Sequence, residues 1–381
     1  MLDFLEGFAL GLTGLVPFLH TNFLVQFAGS AELVFVSALA SSHLVFEAFP
    51  TVLFALPSVG HNVAALPGHQ LALQGRAFTA LRAMLHSVFF GAAFAVAFLP
   101  LWLVAAPLAL PLAQQFSGYA LLVLLALFYL SESKPLTAML VFLLSGALGF
   151  LVFSTPLLAE PLFPLLSGLF AVPALLYSMG SEWPALREGE AFELPLLLVF
   201  LGALLGSLSP FLPAVNPALL ASVAFLFLES APLSFLCLAS ALAASKNVFD
   251  LVSSQTLGVA RSGAAAAIAA APLKDPVVVA VASFASVCAA LAVAFIVFKP
   301  LALAARRVPM RSFNAFFVVF LAIANFLLAG WAGVFVLAVA ACVGVLPIAL
   351  AVRRSNAVGC LIFPSLAHFF ALDAVLLAWL Y

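Results

Sequence analysis

Two acids lie within apolar sequence, and each follows a basic or titratable residue by four positions. His43 precedes Glu47, and Lys246 precedes Asp250. On a helix this spacing puts both members on one face. Charge inside a bilayer is costly and normally faces a cavity or a partner. Each pair therefore reads either as a buried ion pair that holds structure or as the relay of a coupling ion. Glu229 and Asp373 also stand in apolar runs, the first before Ser230-Ala231-Pro232, the second five residues after His368.

A second pair of features can bind a solute. Gly11-Leu12-Thr13-Gly14-Leu15-Val16-Pro17 is followed by His20-Thr21-Asn22, and Gly206-Ser207-Leu208-Ser209-Pro210 by Pro213 and Asn216-Pro217. Glycine and proline interrupt a helix at matched points, the best sequence pointer to a transporter site. A broken helix presents N–H groups at one end, suited to an anion, and C=O groups at the other, suited to a cation. The alternative is a pair of packing kinks. Two polar segments complete the set. One runs from Pro57 through His61-Asn62 and Pro67-Gly68-His69-Gln70 to Gln74-Gly75-Arg76, and the other from Ser253 to Arg261-Ser262-Gly263. The first suits a re-entrant segment packed within protein. Arg76 and Arg261 suit bidentate binding of a carboxylate or phosphate, or else snorkel to headgroups.

The elements that must position these residues are membrane helices. Of 381 residues, 66% are hydrophobic and 7% charged, against about 25% charged in a soluble domain. Mean hydropathy is +1.30. Only helices and closed barrels span lipid, and long continuous apolar runs replace the alternation of a barrel. Charge-free tracts cover 7–31, 83–131, 135–159, 161–181, 194–228, 276–298, 312–352 and 355–372. One crossing takes about 20 residues, so 83–131 and 312–352 each have length for two. Helices bearing polar residues fit near 31–50 and 230–252. The expected fold is all-α and polytopic, with ten to twelve transmembrane helices, some broken or re-entrant. The acidic start Met-Leu-Asp-Phe-Leu-Glu is unlike a signal peptide, so the first apolar run reads as a retained helix.

Two halves emerge. Pro17-Phe18-Leu19 recurs as Pro210-Phe211-Leu212, and Ser42-His43-Leu44-Val45-Phe46-Glu47 as Ser245-Lys246-Asn247-Val248-Phe249-Asp250. Ala95-Val96-Ala97-Phe98 recurs as Ala292-Val293-Ala294-Phe295, followed by Pro100 and Pro300. Pro164 with Phe170-Ala171 matches Pro364 with Phe370-Ala371. Order is kept and the spacing hardly varies. The predicted organisation is a first repeat over 1–179, a polar linker over 180–193 and a second repeat over 194–381. Repeats of this kind build secondary transporters, with the site where they meet; the sequence leaves inverted and parallel repeats both open. Lys299, Arg306, Arg307 and Arg311 fall in one loop and Arg353 and Arg354 in another. The positive-inside rule makes that side cytoplasmic. Three predicted crossings then separate the linker from the first basic loop and place the linker outside.

Other classes are excluded or disfavoured. A net charge of −1 argues against nucleic-acid binding, which needs a basic patch. The chain carries no HExxH, GxSxG or Walker loop, so it does not read as an enzyme, nor as a pump driven by its own nucleotide hydrolysis. Cys237, Cys288, Cys342 and Cys360 lie in apolar runs with no CxxC. His61 and His69 lack the companions of a metal site. No cofactor is expected beyond a coupling ion, sodium or proton.

At Gly60, Pro67-Gly68, Gln74-Gly75-Arg76-Ala77 and Ala80-Leu81 the sequence resembles the signature loop of the large membrane subunit of tripartite tricarboxylate transporters (TctA-like permeases). Gly14-Leu15-Val16-Pro17 is similar to that family's first G-x-x-P motif, and Pro164-Leu165-Leu166-Ser167-Gly168-Leu169-Phe170 to its later P-L-x-x-G-L-F-G motif. Phe18-Leu19-His20-Thr21-Asn22 replaces the bacterial P-G-x-G-P-A loop, closer to shorter archaeal-type members. Gly68-His69 stands near the place of the usual Asp-Gly pair. The resemblance implies uptake of carboxylates such as citrate, with a small membrane subunit and an extracytoplasmic solute-binding protein.

These readings combine into an ion-gradient-driven permease for a small organic anion, multi-pass in the cell membrane. The substrate is expected at Gly14, Pro17, His20, Thr21, Asn22, Arg76, Ser207, Pro210, Asn216 and Arg261, and the coupling ion at His43, Glu47, Lys246 and Asp250. The alternative is a translocase for a polyprenyl phosphate or similar lipid carrier, whose long tail the 40 phenylalanines would accommodate.

Overall fold

The structure is a computed structural model of the chain. It describes all residues except 17–20, 22–23, 26–31, 55–64, 131, 157, 159–160, 181–182, 184–185, 188–190, 213–216, 225–230 and 381.

The described residues form helices and no strand. In chain order they are α1 (Leu2–Gly11), continued by a 3-10 turn (Leu12–Leu15); α2 (Leu33–Phe46); α3 (Ala48–Phe54); α4 (Ala65–Leu73); α5 (Ala77–Leu130); and α6 (Pro135–Ser154). After α7 (Leu162–Leu166) comes a π-helical turn (Ser167–Ala171) and α8 (Val172–Ser178). The second half holds α9 (Leu196–Leu208) with a 3-10 turn (Ser209–Phe211), α10 (Pro217–Ala224), α11 (Pro232–Thr256), α12 (Gly263–Ala269), α13 (Pro276–Ala305) and α14 (Met310–Ala349). A 3-10 turn (Arg354–Val358), α15 (Gly359–Phe369) and α16 (Asp373–Leu380) close the chain.

Local chemistry sets the helix starts. Pro276 occupies the first turn of α13, and the Asp275 side chain accepts from the Val277 and Val278 amides, both at 3.0 Å, two donors that would otherwise be orphaned. Ser262 caps α12 through the Ala265 amide at 3.2 Å. Pro135 and Pro232 likewise open α6 and α11, where a missing N–H costs nothing.

Among the described residues, six helical segments are long and apolar enough to cross a membrane: Leu33–Leu53, α5, α6, α11, α13 and α14. The protein is a polytopic all-α membrane protein. The tract 83–131, with length for two crossings, is helical from 83 to 130 within the 54 residues of α5, which hold Pro100, Pro107 and Pro111. In α14 the backbone leaves helical geometry at Gly330, with φ 61° and ψ −156°, a region that only glycine enters readily. Two helices meet there.

The chain divides into two compact units. One comprises 1–114 with 182–308, the other 115–181 with 309–381. Each takes residues from both sides of the polar linker.

Helix directions in the first unit follow from close approaches of glycines. A Cβ on Gly7 would collide with the Phe35 carbonyl, one on Gly11 with Ser42, and one on Gly14 with the His43 carbonyl. Both sets of numbers rise together, so α1 and its 3-10 turn run parallel to α2. Gly202 meets the Leu238 carbonyl and Gly206 the Leu242 carbonyl and Lys246 amide, so α9 runs parallel to α11. Consecutive parallel helices require the chain between them to return.

Opposed to this, α2 and α11 are antiparallel. The Asn247 amide donates to Ser41 Oγ at 3.1 Å, while Val52 and Leu236 both flank Gly68. Helices also pair across the halves. Ser286 of α13 donates to the Ala38 carbonyl of α2 at 2.7 Å, and Phe298 packs on Phe49 at 5.2 Å between ring centroids. Correspondingly, Gly91 of α5 abuts the Ala241 carbonyl of α11. In the second unit the same crossing recurs: Gly149 abuts the Cys360 carbonyl, and Gly344 the Leu169 carbonyl.

One expectation is corrected. The Trp183 indole donates to the Val308 carbonyl at 2.7 Å, so the linker lies at the same end as the loop that follows α13, not at the opposite one. The tract 194–228 is not a single crossing. With 13 residues, about 20 Å, α9 stops at Ser209-Pro210, and the chain returns before α11 begins.

Candidate functional site

The site forms where α2 and α11 pass each other in the first unit. Both helices are buried along most of their length, so their polar side chains meet protein rather than lipid.

On α2, His43 is 1% and Glu47 8% exposed. Their Nε2 and Oε1 atoms are 3.1 Å apart, within ion-pair range but off the hydrogen-bond axis. The Thr13 hydroxyl donates to the Leu10 carbonyl at 2.6 Å, and its oxygen stands 3.5 Å from His43 Nδ1. Gly14 is the reason for this approach. Lacking a Cβ, it lets the 3-10 turn lie on the α2 backbone between His43 and Glu47.

On α11, Asp250 is 1% exposed. Its Oδ2 faces Lys246 Nζ at 3.9 Å, and its Oδ1 accepts the Arg261 backbone N–H at 2.7 Å. Gly258, with φ +68°, turns the chain at the end of α11. Ser253 holds the turn by donating to the Val259 carbonyl at 2.7 Å. The Arg261 side chain then reaches the end of the broken helix, where its Nε donates to the Pro210 carbonyl at 3.1 Å. Ser207 precedes that break; its hydroxyl donates to the Leu204 carbonyl at 2.7 Å, and its carbonyl accepts the Trp102 indole N–H at 3.0 Å.

The fold therefore brings Pro210, Lys246, Asp250 and Arg261 into one network with Ser207 beside it, and Gly14, His43 and Glu47 into another. Arg76 is placed elsewhere. It immediately precedes α5, forms an antiparallel bridge with Leu186 of the linker and follows Gly75, which packs on the Arg187 side chain. It stands in a setting unlike that of Arg261. Thr21 is half-buried. Pro17, His20 and Asn22, together with Asn216, Glu229 and His61, lie outside the described residues. Asp373 pairs with His368 at 3.2 Å in an exposed position, and His69 faces the Val52 carbonyl at 3.2 Å.

Sequence reasoning missed Thr13, Ser41 and Asn247. Asn247 had a signal, since it sits inside the repeated Ser-Lys-Asn-Val-Phe-Asp motif. Ser41 and Thr13 had none, because only the helix crossing gives them partners. Glu132 was also missed. It is 8% exposed, accepts from the Asn356 amide at 3.0 Å and lies 3.8 Å from Arg353 Nε.

The sequence model of the Tripartite tricarboxylate transporter TctA family matches residues 7–359. An uncharacterized protein of the archaeon Methanocaldococcus jannaschii is 26% identical over 278 residues, covering 68% of this chain and 69% of that protein. No solved structure matches.

Proposed function

From membership of the Tripartite tricarboxylate transporter TctA family, to which this chain belongs, we propose that the protein is the ion-coupled permease of a tripartite system and carries small carboxylates. As a member of that family it is a component of a transporter, embedded as a multi-pass membrane protein. The gradient, the substrate and the individual partners are the proposal: sodium ions or protons drive a di- or tricarboxylate inward across the cell membrane. A small membrane subunit and an extracytoplasmic binding protein assist.

The observation that carries this reading is the paired arrangement at the α2–α11 crossing. A helix interruption, an i,i+4 ionisable pair and a parallel supporting helix occur on each of two antiparallel segments. We take the halves to be an inverted repeat, 1–179 and 194–381 about the linker 180–193. The opposed directions of α2 and α11 and the reciprocal pairings of α13 with α2 and α5 with α11 support it. Inverted repeats place broken helices around a midplane site in secondary transporters. In this reading Gly14, Pro17, His20, Thr21, Asn22, Ser207, Pro210, Asn216 and Arg261 surround the anion. His43–Glu47 and Lys246–Asp250 respond to the ion. Arg76, set beside the linker, contributes at the mouth rather than at the centre.

The test is uptake of radiolabelled citrate and succinate into proteoliposomes holding the protein with its partner subunits. Separate sodium and pH gradients are imposed. Uptake that follows one gradient and stops when it is collapsed supports the proposal. Absence of gradient-dependent uptake for a full di- and tricarboxylate panel sinks it.

A further inference from the structure

A cavity of about 290 Å³ lies between the start of α5 and the end of α13, lined by none of the residues of the α2–α11 networks. Leu81, Leu85, Ala294 and Phe298 are buried and form its floor. Arg82, Phe295 and Lys299 are exposed and form its rim. Two cations thus stand over an apolar, aromatic floor, on helices that face the bilayer.

The end of the unit at which this cavity opens gathers arginines, to which the linker sequence adds the acids Glu182, Glu188, Glu190 and Glu193; orientation follows the Lys and Arg residues, Asp and Glu contributing little. Arg76 bridges Leu186, and Gly75 packs on the Arg187 side chain, so both arginines stand at this end. The Trp183–Val308 hydrogen bond brings the linker to the loop bearing Arg306 and Arg307. At the opposite end, α1, α2 and α13 begin with Asp3, Glu6, Glu32 and Asp275. This asymmetry assigns the basic end to the cytoplasm. That leaflet carries the anionic lipids, and basic pockets between helices there receive phosphate headgroups.

We propose that this cavity is a binding site for an anionic phospholipid of the cytoplasmic leaflet. Arg82 and Lys299 hold the headgroup phosphate, which both residues reach with charge-assisted donors. Phe295, Phe298, Leu81 and Leu85 receive the first part of an acyl chain. A soluble carboxylate would gain nothing from this floor, whereas a lipid buries apolar surface on it. His86 edges the site, with its ring 5.7 Å from Phe295 and 6.0 Å from Phe192 of the linker. An occupied site therefore braces the linker against α5 and α13. The inference is independent of which solute the protein carries.

The experiment titrates the purified full-length protein in neutral detergent with dioleoyl phosphatidylglycerol or dioleoyl phosphatidylcholine and follows thermal unfolding. A ligand that binds only the folded state raises the melting temperature by mass action. Phosphatidylglycerol should raise it, phosphatidylcholine should not, and the rise should be lost in the double variant Arg82→Gln/Lys299→Gln but kept in Lys274→Gln at the other end. An equal rise with phosphatidylcholine, or an undiminished rise in the double variant, overturns the proposal. So does a rise with inorganic phosphate or citrate alone that the double variant abolishes, since it would mark a soluble-anion site. If the double variant does not fold, photo-crosslinking of wild-type protein with a phosphatidylglycerol bearing a diazirine on its acyl chain decides. Adducts on 78–85 and 294–299 support the site, and adducts only elsewhere overturn it.

Discussion

The carboxylate of Asp250 accepts the backbone N–H of Arg261 at 2.7 Å while its other oxygen faces Lys246 at 3.9 Å. One buried acid thus joins α11 to the loop that carries the arginine, and that arginine joins the loop to the carbonyl ending the broken helix. Asp250→Ala removes the acceptor and leaves a largely buried lysine facing no anion. Losing one member of a buried pair costs about 3–5 kcal/mol. The variant should unfold at markedly lower temperature, and Asp250→Asn, which retains an acceptor oxygen, should fall between it and wild type. Equal melting temperatures for all three would remove the structural role.

Glu47 has a different setting, with its Oε1 3.1 Å from His43 Nε2 on the next turn of the same helix. Glu47→Gln is nearly isosteric and should fold with a melting temperature close to wild type. Under the coupling proposal it should lose gradient-driven uptake. Counterflow exchange of labelled for unlabelled carboxylate, which needs no net ion movement, should persist. Full gradient-driven uptake by Glu47→Gln would take the coupling role from this residue.

The parallel helix pairs depend on missing side chains. Gly202→Val forces a branched side chain onto the Leu238 carbonyl, and Gly7→Val does the same at Phe35. Overpacking at a helix contact costs about 1–3 kcal/mol or more. Both variants should yield less folded protein on size-exclusion chromatography. Gly180→Ala, with nothing within 4 Å of the added carbon, should match wild type.

The shared end of the linker and the basic loop is open to direct labelling. In a background with the four native cysteines replaced by serine, Arg187→Cys and Arg306→Cys should react with a membrane-impermeant maleimide from the same face of oriented vesicles. Lys274→Cys should react from the other face. Labelling of positions 187 and 306 from opposite faces would restore the three-crossing topology.

Turn geometry supplies a fifth check. Gly258 holds φ +68° in open space, so Gly258→Ala meets no neighbour but places an L-residue in the left-handed region, at about 1–2 kcal/mol. Its effect should be smaller than that of Asp250→Ala, since the hydrogen bond to Arg261 survives the strain. A larger effect would mean that the turn, rather than the acid, positions the arginine.

Sequence alone determined what depends on composition or on neighbours along the chain. Charge too sparse to cover a soluble surface required a membrane protein, and helical periodicity alone placed His43 with Glu47 and Lys246 with Asp250 one turn apart. The motifs at Gly14–Pro17, Gln74–Ala77 and Pro164–Phe170 carried the family. Tertiary structure decided what depends on direction and on contacts between distant segments. Hydropathy measures the length of an apolar run but not whether it turns back, so 194–228 read as one crossing until Gly202 and Gly206 set α9 parallel to α11. Two arginines at matched positions of the repeat looked equivalent. Only the turn at Gly258 brings Arg261 to Asp250 and Pro210, while a left-handed Gly75 and the bridge to Leu186 hold Arg76 at the linker. Antiparallel α2 and α11 were invisible in the repeat itself, because a repeated motif reads the same whichever way its helix crosses the membrane.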